Sequence, residues 1–204
     1  MNLDKISLNK EIILNTTAEI IRHFGPDKAN ISDVAKALKV SHAAIYRYYN
    51  GKTALWNAIT ERWLTQLQAP LSDILKDNSS ADVKLLHLLE GFAETKRNSA
   101  INDPEMFANY MKLVNNSMEV IEKHIEDGIN QIEKIIVQGI TEGIFFTECP
   151  HQAAKAAYLA TSVFIYPNSF EDPNRKQNID SVVNLLLRGL KNSNNESFMQ
   201  ERDS

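Results

Sequence analysis

The chain is poor in the residues that make disulfides and turns. Among its 204 residues there is one cysteine, Cys149, so no disulfide can form within the chain, and we expect a cytoplasmic protein. It has only 7 glycines and 6 prolines, and a protein built of β-strands needs more turn residues than that. Hydrophobic residues make up 43% and charged residues 24%, which are ordinary values for a folded globular chain. The composition therefore favours an all-α fold.

No apolar run in the sequence reaches the length of about 18 residues that a membrane-spanning helix needs. The longest candidate, around residues 129–146, is interrupted by polar residues. They are Gln131, Glu133, Lys134, Gln138 and Glu142. The N-terminal segment also carries no apolar stretch of signal-peptide length. We therefore expect a soluble protein with no membrane partner.

The net charge of −4 is unevenly distributed along the chain. Residues 1–70 contain nine Lys or Arg and six Asp or Glu, giving +3, whereas residues 71–204 give −7. Residues 36–52 carry four Lys or Arg and no acid. Because salt screens charges beyond about 8 Å, a local basic face can attract phosphates on an otherwise acidic molecule. The alternative is that these cations form an ordinary solvated face.

The sequence shows no arrangement typical of an enzyme or of a metal site. It has no Ser/His/Asp set and no glycine-rich phosphate loop, and Glu-x-x-His occurs once, at residues 148–151, whereas a di-iron site needs such a pair on each of two helices. His87, His124 and His151 lack the short spacing of a metal-binding pair, so we interpret them as ordinary histidines. We expect no catalytic activity, no metal and no cofactor.

Apolar residues recur at helical spacing along most of the chain, without a strand pattern or an internal repeat. The periodicity predicts about nine helices, near residues 8–24, 30–38, 42–49, 53–67, 81–98, 103–115, 121–136, 150–166 and 179–190. Gly25-Pro26 ends the first helix, and Asn30 and Ser41 are suitable N-caps for the next two. Residues 192–204 are polar and are predicted to form a tail.

The most specific segment is residues 30–52, in which two short predicted helices are joined by a turn at residues 39–40. This is the layout of a helix-turn-helix, whose second helix enters the DNA major groove. Small side chains at residues 42–44 permit a close approach to base edges, and Ile45 and Tyr49 can pack inward. The later residues of the segment offer donors to phosphate oxygens.

The pattern Ile-x-x-Val-Ala-x-x-Leu-x-Val-Ser-x-Ala-x-Ile-Tyr-x-Tyr-Tyr-x-x-Lys-x-x-Leu over residues 31–55 resembles the TetR family of bacterial one-component transcriptional regulators. Two positions depart from the family pattern, since Tyr48 stands where histidine is usual and Asn30 where threonine is usual. The resemblance implies that four residues face base edges: Ser32, His42, Ala43 and Ala44. It implies that six others hold the DNA backbone: Asn30, Ser41, Tyr46, Arg47, Tyr48 and Lys52. For Tyr46 the alternative is a place in the core.

The same resemblance implies that residues 1–52 form a three-helix DNA-binding domain and that residues 53–191 form a helical bundle for ligand binding and dimerisation. The last two helices would form a homodimer interface, or alternatively complete the core of one chain. A cavity among the central helices would bind a largely apolar small molecule. The candidate lining residues are Trp63, Leu67, Phe92, Phe107, Tyr110, Met111, Phe145 and Phe164. We expect fewer than half of them to line it.

These observations predict a homodimeric repressor that binds a double-stranded DNA operator and is released from it by a small-molecule effector. The alternative is a DNA-binding regulator that is controlled by a protein partner. The sequence does not distinguish between the two.

Overall fold

The computed structural model describes residues 8–191, and the regular secondary structure of this range is entirely helical. The α-helices are α1 (Lys10–Lys28), α2 (Ile31–Ala37), α3 (His42–Tyr46), α4 (Lys52–Gln68), α5 (Ser72–Lys76), α6 (Ala81–Asn102), α7 (Pro104–Val114), α8 (Met118–Thr141), α9 (Pro150–Ser162) and α10 (Arg175–Lys191). The predicted all-α fold is confirmed, and the short α5 is added to the nine predicted helices. No helix in the described range is long and apolar enough to cross a membrane. The predicted tail, residues 192–204, lies outside the described residues.

The first of two compact units consists of the described residues up to Thr65 together with Asp103–Glu122. It contains α1, α2, α3, most of α4, and α7. Its core includes Ile45, Leu55 and Ile59, whose side chains are fully buried. Burying an aliphatic side chain of this size contributes about 1.5–3 kcal/mol relative to leaving it in water. This core therefore holds α3 in place through its inner face.

The helix α1 is bent at the position where the sequence predicts its end. Gly25 has a φ of 74°, a left-handed conformation that glycine adopts without a steric penalty. The chain resumes a helical turn at Pro26, whose carbonyl accepts a hydrogen bond of 3.2 Å from the Trp56 indole nitrogen of α4. The Gly25-Pro26 corner thereby ties α1 to the helix that follows the helix-turn-helix.

The second compact unit consists of Gln66–Asn102 and, within the described range, residues 123–191. Its core is formed by leucines of α6 and isoleucines of α8, which pack with small side chains of α9. The fully or almost fully buried members are Leu85, Leu88, Leu89, Ile132, Ile135, Ile136, Ala154 and Ala157. The alanines let α9 approach its neighbours closely, which leaves the larger side chains of α9 on other faces of that helix.

Candidate DNA-binding surface and ligand cavity

Side-chain caps begin both helices of the helix-turn-helix, as the sequence predicts. The Asn30 side chain accepts a hydrogen bond of 3.2 Å from the backbone nitrogen of Asp33, and the Asp33 carboxylate accepts one of 3.0 Å from the backbone nitrogen of Asn30. This reciprocal pair is a capping box. Ser41 Oγ accepts from the backbone nitrogen of Ala44 at 3.3 Å and begins α3.

The turn between α2 and α3 depends on one residue in a left-handed conformation. Lys39 has a φ of 55°, and the backbone nitrogen of Val40 donates to the carbonyl of Ala35 over 3.0 Å. This bond closes the C-terminus of α2 in the manner of a Schellman turn. The helical stretch of α3 ends at Tyr46, three residues earlier than predicted, and Tyr49 is buried behind it.

The outer side of α3 begins with small and exposed side chains. His42 and Ala43 are exposed and Ala44 is half-buried, whereas Ile45 is fully buried on the opposite side. The Tyr46 side chain is 50% exposed, so it does not belong to the core. A backbone with small side chains at its first turn can approach base edges closely enough for direct contacts in a major groove.

Four cations surround this outer side. Lys36, Lys39, Arg47 and Lys52 are all exposed, and none forms an ion pair with a residue of the described range. The carboxylate of Asp33 is engaged in the capping box instead. The Lys52 ammonium also lies over the Trp56 ring, 5.0 Å from its centroid. No carboxylate of the described range neutralises the four charges, so they can attract phosphate oxygens of DNA.

Other predicted DNA contacts already have partners within the protein. The Ser32 hydroxyl donates to the Asn30 side-chain oxygen. The hydroxyl of Tyr48 donates to the carbonyl of Leu8 at 2.6 Å, which attaches the segment before α1 to the end of the helix-turn-helix. Because a phenol has a single proton to donate, a phosphate contact by Tyr48 requires this bond to open. The ten predicted DNA contacts stay predictions.

The second unit contains a cavity of about 440 Å³, a volume that includes the solvent at its mouth. Its walls come from the end of α4, from α6, from α8 and from the segment that includes α9. The lining residues are Leu67, Gln68, Phe92, Thr95, Lys96, His124, Tyr158, Thr161, Ser162 and Ile165. The enclosed part that water-sized molecules can occupy is only about 30 Å³, well below the roughly 300–1,000 Å³ of a preformed small-molecule site, so a ligand would have to move the walls apart.

The ionisable groups of this cavity lie in an environment with little water. Burial lowers the pKa of the Lys96 ammonium below its ordinary value. Burial, reinforced by the charge of Lys96, lowers the pKa of His124 to about 4, although Asp127 acts in the opposite direction. Burial also raises the pKa of Tyr158 to about 12, with a smaller contribution from Tyr166. At neutral pH the histidine is therefore neutral and the tyrosine keeps its proton.

Two of the eight predicted effector contacts, Leu67 and Phe92, line this cavity. Trp63, Phe107 and Tyr110 instead form an aromatic cluster in the first unit, where the Trp63 and Tyr110 rings stack with centroids 4.7 Å apart.

The remaining three also lie away from the cavity lining. Phe145 is fully buried in the core of the second unit, and Phe164 is 7% exposed there. Met111 belongs to α7 of the first unit and is half-buried. The sequence reasoning missed the polar lining residues Lys96 and Tyr158, and it interpreted His124 as an ordinary histidine.

Comparisons with known proteins match family models to the helix-turn-helix and to a large part of the remaining chain. The family model described as bacterial regulatory proteins, tetR family, matches residues 13–59, which include the helix-turn-helix. The model described as tetracyclin repressor-like, C-terminal domain, matches residues 81–184, just over half of the chain. The two matches together account for parts of both compact units.

Individual relatives support the same assignment. Over 141 residues the chain is 33% identical to the HTH-type transcriptional regulator YvdT of Bacillus subtilis (strain 168), covering 66% of this chain and 71% of that protein. A transcriptional regulator from Cytophaga hutchinsonii ATCC 33406 has a TM-score of 0.66 at 18% identity, over 89% of this chain and 98% of that one. The Bacillus subtilis transcriptional regulator FadR, in complex with stearoyl-CoA, has a TM-score of 0.62 at 15% identity, over 89% and 100%. These two structures share the fold.

Proposed function

Because this chain belongs to the TetR family of bacterial transcriptional regulators, which are not enzymes, we propose that it is a homodimeric repressor released from its DNA operator by a small molecule. The observation that carries the proposal is the combination, in one chain, of an exposed small-residue helix start and a separate cavity lined by both apolar and polar side chains. The cavity favours control by a small molecule over control by a protein partner.

The proposed DNA-binding role is supported by the order of side chains from the start of α3 to the start of α4. His42, Ala43 and Ala44 stand at its first turn, where a recognition helix meets base edges. The exposed cations Arg47, at the end of α3, and Lys52, at the start of α4, suit phosphate oxygens. In a two-fold dimer the two copies of α3 would read half-sites about one helical turn of DNA apart.

The dimer is supported by apolar side chains that the single chain leaves in water. Leu159, Val163 and Tyr166, in and just after α9, are 59%, 57% and 52% exposed, and Leu185 of α10 is 72% exposed. Exposed apolar residues concentrated on two neighbouring helices mark an interaction surface. A two-fold interface formed by α9 and α10 would cover them, and obligate dimer interfaces are of this apolar kind.

Control by a ligand is supported by the position of α4. This helix begins at Lys52, beside the helix-turn-helix, and its last two residues, Leu67 and Gln68, form part of the cavity wall. Because this helix is continuous from Lys52 to Gln68, a ligand that requires a different placement of Leu67 and Gln68 would act on the helix that carries Lys52. Such a ligand releases DNA only to the extent that it binds the two conformations with different affinity. The FadR structure with stearoyl-CoA shows a protein of the same fold holding a small molecule.

Fluorescence anisotropy with labelled duplexes from the region upstream of the protein's own gene tests the proposal. We expect Lys52→Ala to weaken binding to all sequences alike and His42→Ala to change the preference among them. Lys134→Ala removes an exposed cation of α8 in the second unit and is the matched control. It should change neither the affinity for DNA nor the preference among sequences. Equal effects of Lys52→Ala and Lys134→Ala would contradict the assignment of the surface.

A further inference from the structure

The cavity of the second unit combines an apolar wall with a group of polar side chains. Leu67, Phe92 and Ile165 supply apolar surface, and the rings of Phe92 and Tyr158 meet edge to face with centroids 6.1 Å apart. The polar part is formed by residues of four helices, α4, α6, α8 and α9. A site of this composition fits a molecule with one apolar and one polar end.

The hydroxyl groups of the lining are already used as donors. Thr95 donates to the carbonyl of Gly91 at 3.0 Å, and Thr161 donates to the carbonyl of Ala157 at 2.9 Å. Ser162 likewise donates to a carbonyl of its own helix at 2.8 Å. A hydroxyl has one proton to give, so these three groups have no proton left for a ligand.

The donors that remain belong to Lys96, His124 and Tyr158, together with the side-chain amide of Gln68 at the end of α4. Within residues 8–191 none of these four side chains has a hydrogen-bond partner, and no carboxylate forms an ion pair with the Lys96 ammonium. The lining itself contains no Asp or Glu. The cavity therefore presents one positive charge and three neutral groups that can donate, and it offers no negative charge in return.

A partly buried cation without a counter-ion is an unfavourable arrangement in an empty protein. Taking an ammonium out of water destabilises it unless an opposite charge compensates. A neutral imidazole and a phenol beside it can each donate a hydrogen bond to an anion, but neither supplies the missing negative charge. A negatively charged ligand would supply this charge at the half-buried Lys96.

We propose that the effector of this protein is an anionic amphiphile, whose carboxylate or phosphate binds Lys96, His124 and Tyr158 while its hydrocarbon part lies against Leu67, Phe92 and Ile165. This inference rests on the proposed ligand-responsive function and specifies the chemical class of the ligand. Apolar surface alone would bind a neutral molecule equally well, whereas the Lys96 ammonium favours a ligand with a negative charge.

Isothermal titration calorimetry with four probes of equal chain length tests the inference on the full chain without DNA. The probes are octanoate, octyl phosphate, octanol and octylamine. We expect octanoate or octyl phosphate to bind about 10- to 100-fold more tightly than octanol, since a hydrogen bond to a charged group strengthens binding by this factor. The tighter of the two anions identifies the head group. Equal affinity for octanol, preference for octylamine, or no binding of any probe would overturn the inference.

The variant Lys96→Met separates the role of the charge from that of the cavity shape. We expect the affinity for the preferred anion to fall to the level seen with octanol, while octanol binds as before. The melting temperature of the empty protein should rise, because a poorly solvated charge has been removed. Lys134→Met, at an exposed position outside the cavity, is the control and should change none of these values. Retention of the anion preference in Lys96→Met would contradict the proposal.

A second assay distinguishes failure of this inference from failure of the proposed function. The preferred anion is added to the protein bound to labelled DNA, and anisotropy reports release. Binding of DNA without anion binding in the calorimeter would refute the ligand class but leave the DNA-binding role intact. Anion binding without release of DNA would support the cavity chemistry and refute the proposed control by ligand.

Discussion

The most quantitative prediction concerns His124, whose protonation should destabilise the folded protein in a defined pH range. Burial and the charge of Lys96 lower the pKa of this imidazole in the folded state to about 4, from its ordinary value of 6.5. In the unfolded chain the ring takes up its proton near this ordinary pKa. The stabilisation is therefore fully present above about pH 6.5 and is lost as the pH falls toward about 4.

The size of the effect follows from the two pKa values. One pKa unit corresponds to about 1.4 kcal/mol, so this shift sets a ceiling of about 3 kcal/mol on the loss. At about pH 5 linkage gives a loss of at most about 2 kcal/mol relative to about pH 7.5. The ring is half-buried, and solvent screening reduces the figure, so we expect roughly 1–2 kcal/mol.

Urea denaturation of the wild type and of His124→Gln at about pH 7.5 and about pH 5 measures this contribution. Glutamine keeps a polar side chain that cannot titrate in this range, and the difference between the two proteins cancels the other titrating groups. We expect the loss of stability at the lower pH to be smaller in the variant by roughly 1–2 kcal/mol. Equal losses in both proteins would refute the assigned environment of His124.

Two further predictions concern packing and assembly. A Cβ at Gly139 would collide with the ring of the fully buried Phe145, so Gly139→Ala should lower the free energy of unfolding by about 1–3 kcal/mol in urea melts. Combining it with Phe145→Leu should cost less than the sum of the two single changes, and strict additivity would contradict the contact. Leu185→Glu places a charge in the proposed interface and should yield a folded monomer in analytical ultracentrifugation. The control is Val137→Glu, because Val137 is 46% exposed but lies on α8, outside that interface. This variant should remain a dimer. A dimer that persists in Leu185→Glu would refute the proposed interface.

The helix-turn-helix was predictable because its determinants are local. The caps at Asn30 and Ser41 act within three residues, and the burial of Ile45 follows from helical spacing. The partner of Tyr48 was not predictable in this way, because its hydroxyl reaches the carbonyl of Leu8, 40 residues earlier in the chain. The spacing of residues along the sequence does not indicate a contact between positions so far apart.

The cavity was harder to predict, because its lining depends on where the side chains of separate helices leave space between them. Large apolar residues were chosen as candidates, but a side chain such as Phe145 fills the core completely and leaves no space. Lys96 has the appearance of a solvated residue in the sequence of α6. Its desolvation arises only when α8 and α9 enclose it, which a pattern along one helix cannot reveal.

The most direct test of the central claim, that the outer side of α3 binds operator DNA, is the salt dependence of binding to the duplex upstream of the protein's own gene. Each chain exposes four cations in and next to the helix-turn-helix that form no ion pair within residues 8–191: Lys36, Lys39, Arg47 and Lys52. A dimer that neutralises about eight phosphates should show log K falling with log salt at a slope of about −7. Anisotropy titrations that give this slope would support the account, and affinity that does not change with salt would contradict it.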